Sequence, residues 1–286
     1  MASVRTILIA FGILGCGSTN PGAPLADAGP SDALSDPPSE SSADATDASV
    51  ADAPDAGAAT GLIVPLYTYP TDGTWAVLIQ AKTIHPSVPI VAIINPDSGP
   101  GTSKSSDYAT GIASLKAAGV RVIGYVPTGY GTSSYSGVSQ VEGEMDDYAA
   151  WYPDLEGIFF DEMSTSAGEQ SYYATLAAHA SSLSFAMTVG NPGTAVPSAL
   201  LGIFTVLVIY EDANLPAASA IDAYQATYGS APFAFIAYGV PSLPSAATMQ
   251  SLDAYVAYEY VTDLAGANPY DALPSYFANE VAALGP

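Results

Sequence analysis

Eight short apolar runs punctuate the chain beyond residue 60, and polar or small-residue segments separate them. They span residues 62–67, 90–95, 120–126, 157–161, 185–189, 204–210, 233–238 and 255–260. Each has the length of a strand, and the longer ones do not alternate strictly between apolar and polar positions. Continuous apolar runs fit strands that are covered on both faces, as in a parallel sheet. Helix-compatible segments lie between them, at 108–118, 138–151, 169–182, 217–228, 246–251 and 275–284. Strands that alternate with helices predict right-handed crossovers and a parallel sheet. Eight such units in this length predict a TIM (β/α)8 barrel, an α/β fold, as one domain over 61–286. A doubly wound open sheet is the alternative. Against it, Tyr67-Thr68-Tyr69-Pro70 follows the first run, where a glycine-rich dinucleotide fingerprint would stand.

The segment before the first run follows different rules. Residues 17–60 hold mainly Ala, Asp, Ser, Pro and Gly, with almost nothing large and apolar. Such a segment cannot bury enough surface to offset chain entropy, and the expectation is a disordered linker. Residues 1–16 resemble a lipoprotein signal peptide. Arg5 supplies a minimal basic start, and residues 6–14 form an apolar stretch too short to span a bilayer. Ile13-Leu14-Gly15-Cys16 resembles a bacterial lipobox, and Cys16 is the only cysteine of the chain. Lipid attachment at Cys16 is therefore expected, with the linker as a tether and the protein exported to a bacterial cell envelope. An ordinary signal peptide cut elsewhere is the alternative.

Charge narrows the partners. The chain carries 28 acidic against 5 basic residues, a net charge of −23. Eight acids lie in the linker (Asp27, Asp32, Asp36, Glu40, Asp44, Asp47, Asp52 and Asp55), and the domain has only Lys82, Lys104, Lys116 and Arg121 as bases. Nucleic acid is excluded as a partner, because phosphate binding needs a basic surface. A neutral or cationic polymer is compatible, although the acidity could also serve only solubility. The membrane is expected as a partner through the lipid anchor alone, and the protein is expected to act as a monomer.

The candidate chemistry sits at strand ends. Gly157-Ile158-Phe159-Phe160 runs directly into Asp161 and Glu162, and the sixth run is followed by Glu211 and Asp212. In parallel barrels, reacting groups lie beyond the carboxyl ends of the strands. Two carboxyl groups from different strands are what glycoside hydrolysis requires, one protonated and one ionised. Crowded like charges push one of the two pKa values upward. Alternation along the strand keeps Asp161 and Glu162 from pointing the same way, and one arrangement puts Asp161 in the mouth and Glu162 at its rim. The competing explanation is that these acids cap neighbouring helices.

Other chemistries fail on inventory. The two histidines, His85 and His179, fall in a loop and a helix-like stretch, so a Ser-His or Cys-His nucleophile is not supported. Zinc lacks ligands, no acidic loop has EF-hand spacing, and Lys104 does not complete a phosphate-binding loop. No metal and no cofactor is expected. Tyr67, Tyr125, Tyr210, Tyr238 and Tyr260 fall near strand ends, where an aromatic face with a hydroxyl suits a sugar ring.

Four motifs together resemble the spherulin-4 (spherulation-specific family 4) proteins, over essentially all of 61–286. They are Pro65-Leu66-Tyr67 with Trp75, Asn95-Pro96-Asp97-Ser98-Gly99-Pro100-Gly101, Gly124-Tyr125-Val126-Pro127-Thr128, and Gly157-Ile158-Phe159-Phe160-Asp161-Glu162. The resemblance implies a TIM-barrel glycoside hydrolase. Characterised fungal members are endo-acting α-1,4-N-acetylgalactosaminidases that cut galactosaminogalactan, a partly cationic exopolysaccharide. It implies acidic site residues at Asp161, Glu162 and Glu211. By analogy with related barrels, Asp161 would be the nucleophile, Glu211 the acid/base of a retaining mechanism, and Glu162 a residue that orients or tunes them. Tyr67, Asn95, Tyr125, Asn191, Tyr210 and Tyr238 are the candidate substrate contacts. The alternative to an enzyme is a barrel that holds polysaccharide at the cell surface without cutting it.

Overall fold

The computed structural model describes residues 60–132, 136–228 and 232–285. Cys16, the signal segment and the linker up to residue 59 lie outside the described residues. Eight strands form the core: β1 (Gly61–Leu66), β2 (Ile90–Ile94), β3 (Arg121–Pro127), β4 (Gly157–Asp161), β5 (Met187–Gly190), β6 (Val206–Ala213), β7 (Phe233–Tyr238) and β8 (Tyr258–Val261). All neighbouring pairs are parallel, and β1 closes on β8 through Gly61 beside Tyr258 and Leu62 beside Glu259. The result is the closed eight-stranded barrel that the sequence predicts, not an open sheet.

Seven helices surround it among the described residues: α1 (Thr74–Ile84), α2 (Ser106–Ala117), α3 (Val138–Trp151), α4 (Gln170–Ser182), α5 (Ala218–Tyr228), α6 (Ala246–Asp253) and α7 (Phe277–Leu284). The first was not expected from the sequence. It buries Trp75, Leu78, Ala81 and Lys82, while Val77 and Ile84 on the same helix stay exposed. Apolar residues on both faces blur the helical period, which explains why the pattern did not reveal it.

The apolar runs are continuous because each strand has two buried faces. In β4, Phe160 points outward and stacks on Phe204 at 4.7 Å between ring centres, and Phe159 points inward against Tyr125 at 6.2 Å. Asp161 has the inward parity of Phe159. Gly124 is needed where α3 crosses β3, since a Cβ there would sit 2.9 Å from the ring of Tyr148. Tyr148 uses that space to donate a hydrogen bond from its hydroxyl to the Tyr125 carbonyl at 3.0 Å. The α3 helix is thereby pinned to the strand that ends beside the acids.

Candidate active site

The first acids are set by a clip between the ends of β3 and β4. Fully buried Thr128 donates its backbone N–H to the Asp161 carbonyl at 2.9 Å. Its hydroxyl lies 2.8 Å from the same carbonyl and 2.9 Å from that of Glu162. The strand stops at Asp161, and Glu162 turns away with a φ of 53°, a conformation uncommon for residues other than glycine. That turn separates the two side chains. The Asp161 carboxylate accepts hydrogen bonds from the Tyr125 hydroxyl, the Glu162 N–H and Asn191. The Glu162 carboxylate accepts the N–H of Gly129, on the loop after β3.

Glu211 reaches the same place by an irregularity. The sequence predicts it just beyond the sixth strand, but β6 continues to Ala213 and holds Glu211 within it. Leu207 faces outward, in register with Gly190 and close to it. Regular alternation from there would send Glu211 outward too. The pairing with β7 shifts between Val208 and Tyr210, so that Tyr210 lies beside Phe235 and Glu211 beside Ile236. One extra residue, Ile209, resets the alternation and aims Glu211 into the mouth.

Asn191, just past the end of β5 and 6% exposed, bridges the two acids. Its side-chain NH2 donates to Asp161 Oδ1 at 2.8 Å and to Glu211 Oε2 at 2.5 Å. The sum of these distances, 5.3 Å, is the greatest separation those two oxygens can have. Its own carbonyl oxygen is occupied by the Gly193 N–H, which fixes the amide orientation. The Tyr270 hydroxyl donates to the other oxygen of Glu211. Tyr67 packs edge-on between Tyr125 and Tyr270, at 5.7 Å from each.

The electrostatics follow from this geometry. Burial pushes the Glu211 carboxyl up, and the Asp161 charge pushes it further, to about 7, against the hydrogen bonds from Tyr270 and Asn191. Asp161 is also raised by burial, but three donors favour its ionised form. The two carboxyls titrate as a pair, in which the three donors on Asp161 favour the anion there and burial and the Asp161 charge raise Glu211. Glu162 is raised by burial and by the Asp161 charge. Burial and the two carboxylates hold the Tyr67 phenol well above its ordinary range, so it stays a donor at neutral pH.

Not every candidate joins this cluster. Asp161, Glu211, Asn191, Tyr125 and Tyr67 are brought together, and Glu162 stands at their edge. Asn95 accepts the Gly99 N–H at 3.0 Å and so ties its own loop. The Tyr210 hydroxyl lies 3.3 Å and 3.1 Å from the carbonyls of Ala213 and Asn214, at the exit of its own strand. Tyr238 sits nearby and is hydrogen-bonded to Asp212, and the charge of Glu211 also acts on it. Asp212 is exposed and accepts the next N–H of its own chain, that of Ala213. Two residues escaped the sequence reading. Tyr270 lies in the loop after β8, 59 residues from its partner Glu211. Tyr130 lies in a Gly-Tyr-Gly turn after β3, and that flanking glycine pair was the available signal.

Residues 61–284 match the family model described as spherulation-specific family 4. Spherulin-4 of Physarum polycephalum is 39% identical over 241 residues, which cover 78% of this chain and 69% of that protein. The crystal structure of Aspergillus clavatus Sph3 in complex with GalNAc is similar with a TM-score of 0.71 at 25% identity, over 80% of this chain and 98% of that one. The catalytic domain of a mannanase from Streptomyces sp. SirexAA-E shares the fold, with a TM-score of 0.51 at 14% identity over 79% of this chain and 84% of that one. A barrel with these strand-end acids, matched along its whole length, makes the chain a member of spherulation-specific family 4.

Proposed function

We propose that the protein is an endo-acting glycoside hydrolase that cleaves an α-linked exopolysaccharide containing galactosamine or N-acetylgalactosamine. The observation that carries this reading is the Asn191-bridged acid pair, with oxygens no more than 5.3 Å apart, one acid favoured as the anion and the other raised to about 7. That bound is compatible with a retaining mechanism, whose carboxyl groups lie about 5–5.5 Å apart. The GalNAc bound to the related Sph3 structure and the family membership support the amino-sugar substrate.

In this mechanism an Asp161 oxygen attacks the anomeric carbon. The bond to the leaving oxygen breaks as Glu211 transfers its proton to that oxygen. Glu211, now ionised, takes a proton from water, whose oxygen attacks the same carbon and releases Asp161. Asn191 stays hydrogen-bonded to both acids and holds their spacing. Glu162 adds negative charge beside the oxocarbenium-like centre and tunes Asp161. The acidic mouth suits a neutral or cationic polymer.

The test is incubation of the protein with an α-1,4-linked N-acetylgalactosamine polymer and detection of released oligosaccharides. Asp161→Asn and Glu211→Gln are expected to abolish release while the fold survives. Full activity in both variants would remove the assignment, and binding without release would favour a non-catalytic polysaccharide-binding protein. NMR of the first-formed product reports the mechanism: an α-anomer supports retention, a β-anomer inversion. We further propose that Cys16 carries a lipid and that 17–60 tethers the barrel to a bacterial envelope. Cys16→Ser is expected to move the protein from the membrane fraction to the soluble fraction.

A further inference from the structure

The tyrosines expected to stack on sugar are largely occupied by one another. Tyr67 is flanked edge-on by Tyr125 and Tyr270, and Tyr125 lies against Phe159. Tyr125 and Tyr270 are only 4% and 6% exposed. Tyr125 and Tyr270 hold the acids and are buried, which leaves those two rings little open face for a sugar.

Tyr130 differs in each respect. It is 53% exposed, one of four large apolar side chains so exposed among the described residues. Two of the others, Val77 and Ile84, lie on helix α1. The third, Tyr69, has its hydroxyl tied to Asp107 at 2.7 Å and its ring edge-on to Tyr108 at 5.6 Å. No ring of a described residue packs against Tyr130.

Its backbone is held in a sparsely populated state, with φ 56° and ψ 28°, between Gly129 at φ 53° and Gly131 at φ 75°. An exposed aromatic residue kept in a left-handed conformation is a place to look for function. The turn is also joined to the acids. The Tyr130 N–H donates to the Glu162 carbonyl at 2.7 Å, and the neighbouring Gly129 N–H reaches the Glu162 carboxylate. That backbone tie puts the turn that carries the phenol beside Glu162, and the charges of Glu162, Asp161 and Glu211 act on the phenol. The backbone that carries the ring is tied to the residue that bears an acid, so little backbone freedom is lost when a ligand covers it.

We infer that Tyr130 is a stacking platform for the apolar C–H face of an amino-sugar ring bound beside the cleaved linkage. The platform rests on the glycosidase reading for its location, while its chemistry is that of binding. The carboxylates around it select against acidic sugars and accept neutral or ammonium-bearing ones.

The experiment is calorimetric titration of α-linked N-acetylgalactosamine oligosaccharides into the Asp161→Asn protein, alone and with a second substitution. Tyr130→Phe is expected to keep affinity within about twofold, since the face and not the hydroxyl makes the contact. Tyr130→Gly keeps the left-handed turn without strain and is expected to lose about tenfold or more. Tyr130→Trp enlarges the face and is expected to hold or tighten binding, a check that remains should the glycine variant not fold. Unchanged affinity in Tyr130→Gly, an equal loss in Tyr130→Phe, a loss in Tyr130→Trp, or no binding by the parent would each overturn the platform. Binding that depends on the ring in a protein that never cleaves would instead sink the hydrolase and leave the platform standing.

Discussion

Two groups of acids, one partly buried and one mostly sealed, sit at opposite faces of the barrel wall. Asp161, Glu162 and Glu211 line the mouth. Glu259 on β8, Asp253 at the end of α6 and Glu280 on α7 lie behind the wall, and Glu259 and Glu280 are each 1% exposed. Carboxyl groups in both places are pushed up by burial. Glu259 goes to about 11 through burial and the hydrogen bond and charge of Asp253, and Glu280 goes to about 8. The difference lies in the donors. The mouth acids are met by Asn191, Tyr270, Tyr125 and backbone N–H groups, so one of the pair can ionise. Behind β8, an oxygen on each of Asp253, Glu259 and Glu280 has no donor around it, and a proton shared between Asp253 and Glu259 fills that role for the first two. A raised pKa alone therefore does not mark a catalytic acid. What marks it is a raised pKa with oriented donors and an opening to substrate.

The sharpest way to break this comparison is to neutralise one acid in each group. Glu211→Gln is expected to lower kcat by about a thousandfold or more, the scale of a lost general acid, whereas Glu259→Gln leaves kcat unchanged. Steady-state rates on the polymer check both, and equal losses would erase the distinction.

The second effect is on stability. The folded pKa of Glu280 lies above its unfolded value, so its contribution is fully present below the unfolded pKa and is lost as pH rises through about 8. Urea midpoints are expected to fall between pH 5 and pH 9, by on the order of a few kcal/mol in stability. Glu280→Gln, which still accepts the Val261 N–H, is expected to flatten that slope.

A smaller effect reports on the donors. Activity should fall as pH rises through about 7, because Glu211 must keep its proton. The Tyr270 hydroxyl stabilises the ionised form, so Tyr270→Phe is expected to move that alkaline limb to higher pH and to cost about tenfold in kcat. A pH profile of kcat/KM checks the direction, and a shift to lower pH would contradict it. The smallest effect is expected for Tyr210→Phe, whose hydroxyl bonds its own strand exit. A change in kcat/KM within about threefold is the expected outcome, and a larger loss would bring Tyr210 back as a substrate contact.

Much of the barrel was legible because each strand is short, apolar and bounded by polar segments. The run that ends in Phe160-Asp161-Glu162 also declared a strand end with acids, since local spacing alone decides where a strand meets its loop. The aim of Glu211 was hidden. Val206-Leu207-Val208-Ile209 is apolar throughout, so no alternation shows which side chains face inward. Tyr270 was hidden because nothing near it in sequence mentions the acid it serves. The helix α1 was missed because apolar residues cover both of its faces.

By itself, the sequence determined the eight strands, their order and the strand end that carries Asp161 and Glu162. These are matters of periodicity and chain-local chemistry, written within a few residues of each site. The tertiary structure decided which acid faces inward, which asparagine bridges the pair, and which carboxyl groups are sealed away behind β8. Those outcomes depend on register, closure and neighbours brought from distant parts of the chain. One inserted residue in β6 is enough to reverse the direction of Glu211, and only the pairing with β7 reveals it.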